Sequence, residues 1–422
     1  MNATATHSPE TVAQQLLDGA QMGQSPDLSA LRIAFVSGNY NCVRDGANRA
    51  QNELVRYLIA HGATVRVYSP TCDNPAFEPA GDLVSIPSLP LPLGRKEYRI
   101  CLHLPRSTQD DIAAFAPNVF HISLPFFHGK SALALARRMN VPAVAAMHTR
   151  FESYPRYYGL GFIEGVVLAR LRKFYRACER IVAPCEAAAQ TMEAQGMGQG
   201  IGVWSRGVDA SIFTPARRDM AWRRSHGIGD KELVVAFLGR LVLEKGLGHF
   251  AQAIQRLRAT GIPFRTLIIG DGPARDHFAA ELGPDTVFVG FQHGEDLGRA
   301  LASADVLLNP SVTEAFSNIS LEAMACGLPV VAADAPGNNT IVKHGETGMT
   351  VPADDIDAYA RALQQYLTNS ALRAAHGQAA RIRSGLFTWD RANNAMVQSY
   401  FAAIASVPAS VPASAAAGVV TG

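Results

Sequence analysis

From residue 31 onward the chain alternates short, almost wholly apolar runs with helix-length amphipathic segments. LRIAFVSG (31–38) ends at a glycine and is followed by a polar loop, a helical pattern closing at HG, and TVRVYSP (64–70). This predicts strand, loop, helix, strand. VFHISLP, VPAVAAMHT and RIVAPCE continue the rhythm, each beside a helical stretch. After about Pro215 it restarts with LVVAFLGR, RTLIIGDG, TVFVGF, ADVLLNPS and PVVAAD, again separated by helix-length segments. Strands this short and apolar are covered on both faces, as in parallel sheets flanked by helices. The pattern predicts an α/β protein of two Rossmann-like, doubly wound domains over 30–212 and 216–386, linked near VDASIFTP. Residues 1–29 are polar and mixed, and the tail 406–422 is rich in Ala, Ser, Pro and Val. Neither composition offers enough apolar burial to offset the entropy of ordering, so both ends are expected to be loose.

Composition sharpens this picture in three places. A length of 422 residues, 48% hydrophobic, suits two buried cores better than one. A formal charge of +2 gives no global field for a polyanionic partner, so nucleic acid is not expected. The six cysteines contain no C-x-x-C pair, which implies neither a zinc ribbon nor a disulfide framework and fits a reduced, cytoplasmic compartment. No signal-peptide pattern precedes the first strand, and no run reaches the ~18 apolar residues of a membrane span. The protein is therefore expected to be soluble or peripheral.

In open parallel sheets, ligands bind beyond the carboxyl ends of the strands, so the residues that follow each run carry the candidate chemistry. LGRLVLEKG (238–246) places Gly239, Arg240 and Lys245 between a strand end and a helix start, where two cations suit a departing diphosphate. An ordinary solvated loop accounts for the same residues. In NPSVTEAFSNISLEAMACGLPVVAAD (309–334), Glu314 and Glu322 are eight apart and share no single helical face. Glu314 is expected in the loop and Glu322 within a helix beginning near Ser317, whose first N–H groups, at Phe316, Ser317 and Asn318, would face a phosphate or sugar oxygen. Glu322 can accept two ribose hydroxyls, and Glu314 can order those of a sugar. Acidic residues complementing a helix dipole explain one of these glutamates better than both. The acidic D-I-D at 355–357 reads as a helix cap, and no metal is assigned to it.

Arg240 and Lys245 in G-R-L-x-x-E-K-G, together with E-x7-E inside T-E-A-F-S-N-I-S-L-E-A-M-A-C-G-L-P-V-V, resemble the donor site of the retaining family 4 glycosyltransferases of GT-B fold. The resemblance implies that Arg240 and Lys245 bind the diphosphate, Glu314 faces the donor sugar and Glu322 holds the ribose. The loop ending at Gly46, where a glycine lets backbone approach a ligand closely, continues as G-x-N-R-x-Q-N-x-x-x-Y-L, with Asn48 and Arg49. That segment resembles the plant sulfoquinovosyltransferases, which glycosylate a diacylglycerol, and bacterial lipid mannosyltransferases have a related layout. M-H-T at His148 resembles their Y-H-T, whose His approaches the transferred sugar; outside that context a lone His is more often structural. W-S-R-G-V-D (204–209) resembles the family's strand into the interdomain link, and F-T-W-D (387–390) its helix over 387–405 returning to the first domain. The likeness covers nearly all of 31–404. Ala315 and the C-V-R-D-G loop depart from the common pattern and leave donor and acceptor identity open.

The resemblance implies metal-independent, front-face transfer, in which the departing phosphate held by Arg240 and Lys245 takes the acceptor's proton. No closely spaced carboxylate pair suggests the double displacement of glycosidases. UDP-glucose or UDP-glucuronate is the expected donor and GDP-mannose the alternative; the VGFQHG loop with Phe291 does not choose between the bases. For the acceptor, EGVVLARLRKFYRACER (164–180) groups Val167, Leu168, Leu171, Phe174 and Tyr175 with Arg170, Arg172, Lys173, Arg176 and Arg180. Such a helix can lie on an anionic membrane, or pack in a core with a basic face in water. Arg150 and Tyr154 join Asn48 and Arg49 as candidate acceptor or membrane residues. A lipid acceptor such as ceramide or diacylglycerol, reached peripherally at the cytoplasmic face of the inner membrane, is the resulting expectation. A nucleotide-sugar epimerase would share the architecture but need no acceptor. A silent partner protein of the same fold would be expected to lose the charged set that this chain keeps.

Overall fold

The computed structural model describes residues 26–43, 45–91, 98–152 and 161–407. Two parallel sheets organise them. The first is built from β1 (Arg32–Val36), β2 (Thr64–Ser69), β3 (Asp82–Ser85), β6 (Val119–Ile122), β7 (Ala143–Ala146), β8 (Arg180–Ala183) and β9 (Gly202–Val203), in the order β3-β2-β1-β6-β7-β8-β9. Between them, β4 (Leu89–Pro90) and β5 (Arg99–Ile100) form a two-residue antiparallel pair. The second sheet holds β10 (Val234–Leu238), β11 (Arg265–Ile269), β12 (Thr286–Gly290), β13 (Val306–Asn309), β14 (Val330–Ala333) and β15 (Gly348–Val351), in the order β12-β11-β10-β13-β14-β15. This is the α/β, two-Rossmann architecture that the alternating pattern predicts.

Register and burial explain why the runs are apolar. Ile33 pairs in register with Val65 on one side and Val119 on the other. Residues 33–36 of β1 and 234–236 of β10 are wholly buried, because helices cover both faces. The helix Leu247–Arg258 buries Leu247, Phe250, Ala251, Ile254 and Leu257, a 3.6-period stripe, against the second sheet. There Phe250, Phe237 and Phe278 meet with ring centroids 5.3–5.8 Å apart.

The final helix, Trp389–Ser406, begins with Thr388 accepting the Arg391 N–H and returns to the first domain. Met396, Val397, Tyr400 and Phe401 pack there with Ile33, Phe35, Val144 and Trp204. Of the segment 1–29, residues 1–25 lie outside the described residues, while Leu28 is fully buried and its N–H bonds the His61 carbonyl. Residues 408–422 of the tail also lie outside the description.

Strand order reverses at two places: between β1 and β6 in the first sheet, and between β10 and β13 in the second. The loops leaving β1, β10 and β13 are 37–45, 239–246 and 310–317, so the crevice expected at a topological switch point is lined by the motif residues.

Candidate active site

The second domain supplies a bed of charge. Leu238 ends β10, and Arg240 follows, exposed, with the Leu241 N–H bonded to the Asp271 carbonyl. Lys245 ends a single 3-10 turn, Leu243–Lys245. Gly246 has φ 74°, and a Cβ there would come 2.9 Å from the Pro310 carbonyl oxygen, so glycine brings the two loops together. Lys245 Nζ ion-pairs with Glu314 Oε1, joining the 239–246 and 310–317 loops. A Cβ on Gly337 would lie 2.1 Å from the Glu314 carbonyl oxygen, so the helix Pro336–Ile341 can back this loop only through a glycine. A small cavity of about 80 Å³ lies beside Glu314, lined also by Arg150, Cys185, Thr191 and Gly337.

A buried polar network, absent from the sequence reading, holds the loop. Asn309 Nδ2 lies 2.9 Å from Ser317 Oγ, 3.1 Å from Ser320 Oγ and 3.0 Å from Asn338 Oδ1. Asn338 Nδ2 in turn donates to the Ser311 and Ala333 carbonyls at 2.9 and 3.0 Å. Fully satisfied networks of this kind fix geometry, because leaving one member unpaired in a core is costly. Asn309 directly follows the apolar end of a strand, which is the signal that could have singled it out.

The helix Asn318–Ala325 carries Glu322, buried at 7% exposure, while Glu314 stays in the preceding loop. Phe316 and Ser317 are buried, and the Asn318 N–H bonds the Phe316 carbonyl. Burial pushes the Glu322 carboxyl up, and Arg49 opposes this. Arg49, on the first-domain helix Gly46–Ala60, reaches across the crevice to bring Nη1 2.8 Å from Glu322 Oε1. Gly46 opens that helix against Asn318: an added Cβ would be 2.2 Å from Asn318 Nδ2. The two domains therefore meet where the expected donor residues cluster. Phe291, exposed just beyond β12, has its ring centroid 6.2 Å from that of His293.

Two first-domain residues add to the site. Asp45 caps the helix by accepting the Asn48 N–H at 2.8 Å. Burial pushes its carboxyl up, against helix-start N–H groups and the charges of Arg206 and Lys245. His148, just past β7, has Nδ1 3.1 Å from Arg206 Nη2. Burial first, then the charge of Arg206, holds its ring well below the usual imidazole range, so it is neutral. Neither Asp45 nor Arg206 was singled out from sequence; each acquires meaning only from its neighbours across the fold.

The structure redistributes the candidate acceptor or membrane residues. Asn48 is buried and donates to the Val43 carbonyl at 2.9 Å, so it is part of the loop's scaffold. Arg49 faces Glu322. Arg150 pairs with buried Glu152 at 2.9 Å beside the Glu314 cavity. Tyr154 lies outside the described residues. The membrane-lying face proposed for 164–180 needs correction: in the helix Glu164–Tyr175, Leu171, Phe174 and Tyr175 are buried in the core, with Val167 and Leu168 packed against it. Arg172 donates to the Gln195 carbonyl and Arg176 to the Gly196 carbonyl at 2.7 Å, bracing a neighbouring turn. The exposed strip on this side is instead Phe162, at 82%, with Val166, Arg170 and Lys173.

Asp355 behaves as a cap, accepting the Ala358 N–H at 2.8 Å. Among the described residues, no group of three His, Cys, Asp or Glu side chains could hold a metal ion. No described helix is long and apolar enough to cross a membrane.

Two doubly wound domains facing across a crevice lined with cations and carboxylates are the GT-B architecture. Comparison with known proteins agrees: residues 44–212 match the model of glycosyltransferase family 4, and residues 232–369 that of the glycosyl transferases group 1. The chain is 30% identical over 379 residues to the sulfoquinovosyl transferase SQD2 of Arabidopsis thaliana, covering 88% of this chain and 72% of that protein. It is also 30% identical over 380 residues to a GDP-mannose-dependent alpha-mannosyltransferase of Mycolicibacterium smegmatis, covering 89% and 98%. Among solved structures, sucrose-phosphate synthase from Thermosynechococcus elongatus superposes with a TM-score of 0.69 at 20% identity, covering 87% of this chain and 98% of the other. The chain belongs to glycosyltransferase family 4 and is a nucleotide-sugar glycosyltransferase.

Proposed function

We propose that this enzyme transfers a hexose or hexuronic acid, with retention, from UDP-glucose or UDP-glucuronate to a membrane lipid such as ceramide or diacylglycerol. The observation that carries the reading is the convergence of Lys245, Glu314 and Glu322 from the second domain with Arg49 and His148 from the first around one crevice. In the proposed reaction Arg240 and Lys245 hold the diphosphate. Glu314 orders the sugar, Glu322 accepts the ribose hydroxyls, the ring of His148 approaches the sugar, and Phe291 flanks the base. Gly46 and Gly239 leave room for phosphate oxygens, and the N–H groups of Phe316 and Ser317 are the donors; the Asn318 N–H, also expected to serve, is taken by the Phe316 carbonyl. The departing phosphate, its charge met by the two cations and no metal, takes the proton of the acceptor hydroxyl on the face it leaves. Cations aimed at developing charge in a crevice are each worth about 3–4 kcal/mol of barrier.

The lipid acceptor is supported by the likeness to SQD2 and by Phe162 and Val166, exposed beside Arg170 and Lys173, a strip suited to an anionic membrane surface on the cytoplasmic side. A second reading, transfer from GDP-mannose, is favoured by the mannosyltransferase relative that the chain spans almost end to end. Release of nucleoside diphosphate from UDP-glucose, UDP-glucuronate and GDP-mannose, with and without mixed ceramide and diacylglycerol micelles, tests both. Lipid-dependent release from one UDP-sugar is expected. Lipid-dependent release from GDP-mannose selects the second reading, and release that ignores lipid overturns the acceptor.

A further inference from the structure

Arg206 stands in the W-S-R-G-V-D segment, to which the family resemblance assigned only a strand leading into the interdomain link. The residue is 3% exposed, and its guanidinium Cζ lies 5.1 Å from the centre of the Trp204 ring. Nη1 donates to the Trp204 carbonyl at 2.9 Å and to the Ser205 carbonyl at 3.2 Å, which fixes the fork. Nη2 then meets His148 Nδ1 at 3.1 Å. A guanidinium carries no lone pair, so in this contact Arg206 donates and Nδ1 accepts. The ring proton must therefore reside on Nε2. A proton on Nδ1 would set N–H against N–H, and a charged ring would face the guanidinium at contact distance.

Two further features make this arrangement more than a core contact. The imidazole stands edge-on to the same Trp204 ring, with centroids 5.4 Å apart and planes at 72°, so one indole orients both partners. His148 Nε2 is buried and has no hydrogen-bond partner among the described residues. A buried N–H without an acceptor is rare in native proteins and calls for an incoming group to satisfy it. His148 follows β7 by two residues at the crevice, and Arg150, two residues on, lines the Glu314 cavity.

We propose that Arg206 is a positioning residue that holds His148 in its Nε2–H tautomer, so that the ring donates a hydrogen bond to an oxygen of the transferred sugar and cannot accept one there. The inference rests on the transferase reading for the identity of the ligand, whereas the tautomer itself does not depend on it. Arg206 acts through the ring, and its buried charge is balanced in part by Asp45. His148 becomes a one-way donor, selective for a sugar oxygen that can accept.

The test uses the full-length protein with 15N-labelled histidine, alone and with UDP-glucose or GDP-mannose, His148 being assigned by the loss of its signals in His148→Gln. Wild type is expected to show a protonated Nε2 and a bare Nδ1, with the Nε2 signal moving when the nucleotide-sugar binds. Arg206→Met should mix the tautomers and lower kcat/KM by about tenfold or more, mostly through kcat. Arg206→Lys, which can still donate to Nδ1, should restore the tautomer and most of the activity. Circular dichroism and thermal melting establish that each variant folds; should the Met variant not fold, the wild-type and Lys spectra decide. A protonated Nδ1 in the wild type overturns the proposal, as does an Arg206→Met enzyme with unchanged His148 signals and kcat/KM. If no donor is turned over by the wild type, the transferase reading fails while the spectrum still decides the tautomer.

Discussion

Removing the guanidinium of Arg49 isolates the carboxylate expected to hold the donor ribose. Glu322 lies almost wholly inside, and burial pushes its carboxyl up; Arg49, 2.8 Å away, is the charge that opposes this. Fully desolvated, a pair this close would be worth several kcal/mol. The Arg49 side chain is 37% exposed, however, so solvent screens the pair and about 1 kcal/mol is the working magnitude. That corresponds to a roughly fivefold change in the protonation equilibrium of Glu322. The sign follows from the charge: without Arg49 the carboxyl is pushed further up, so its ionised fraction begins to fall at a higher pH. A protonated carboxyl accepts ribose hydroxyls less well than a carboxylate. Arg49→Ala should thus bind the nucleotide-sugar nearly as wild type does at mildly alkaline pH and lose affinity faster on acidification. By calorimetry, its ratio of acid to alkaline Kd should exceed the wild-type ratio by about fivefold. Glu322→Gln should bind weakly throughout and lose the dependence. Equal ratios in Arg49→Ala and wild type would refute the reasoning, since either the pair does not govern Glu322 or Glu322 does not meet the donor.

Lys245→Ala removes one of the two cations proposed for the leaving diphosphate and should lower kcat by about 100- to 1,000-fold with an unchanged circular dichroism spectrum; activity within a few-fold of wild type would misplace the diphosphate. Phe162→Ser with Val166→Ser should reduce sedimentation with anionic liposomes while donor affinity stays unchanged, and undiminished sedimentation would remove the membrane strip. Stability should fall on acidification from neutrality. Burial holds His121 down at about 3, so the unfolded chain, with an ordinary imidazole, binds the proton first. The loss begins near the unfolded value and continues towards about 3, amounting to about 2 kcal/mol by roughly pH 5. The buried carboxyls Asp45 and Glu322, pushed up, act in the opposite sense. Urea unfolding of wild type against His121→Phe therefore reads the His121 share as a difference in slope, and parallel slopes would contradict it.

The residues that the sequence located are those whose role follows from near neighbours. The apolar runs of β1, β2, β6–β8, β10, β11, β13 and β14 announce themselves because central parallel strands must be apolar on both faces, and edge strand β12 (TVFVG) by its own apolar run. Asp355 could be read as a helix cap because capping spans only three residues. Arg240, Lys245, Glu314 and Glu322 could be proposed as a donor site because strand-end loops and a helix start are each continuous in the chain, where a family motif can be matched. By contrast β3 (DLVS) and β15 (GMTV) escaped, being short and carrying polar or glycine residues at the sheet edges, and the strand expected at 204–209 lies just before it, at β9 (GV).

Tertiary structure alone decided which charges meet. Arg49 and Glu322 are 273 positions apart, and His148 and Arg206 are 58 apart, separations across which no periodicity carries information. The helix Glu164–Tyr175 shows the same division. Its amphipathic pattern fixed that one face would leave water, and the same pattern serves a membrane or a core. The first sheet was the apolar surface available to it, so Leu171, Phe174 and Tyr175 went inward and left Phe162 and Val166 outside. Sequence sets the local preferences of each segment, whereas a salt bridge, a tautomer or a buried face depends on a partner that only folding brings within reach.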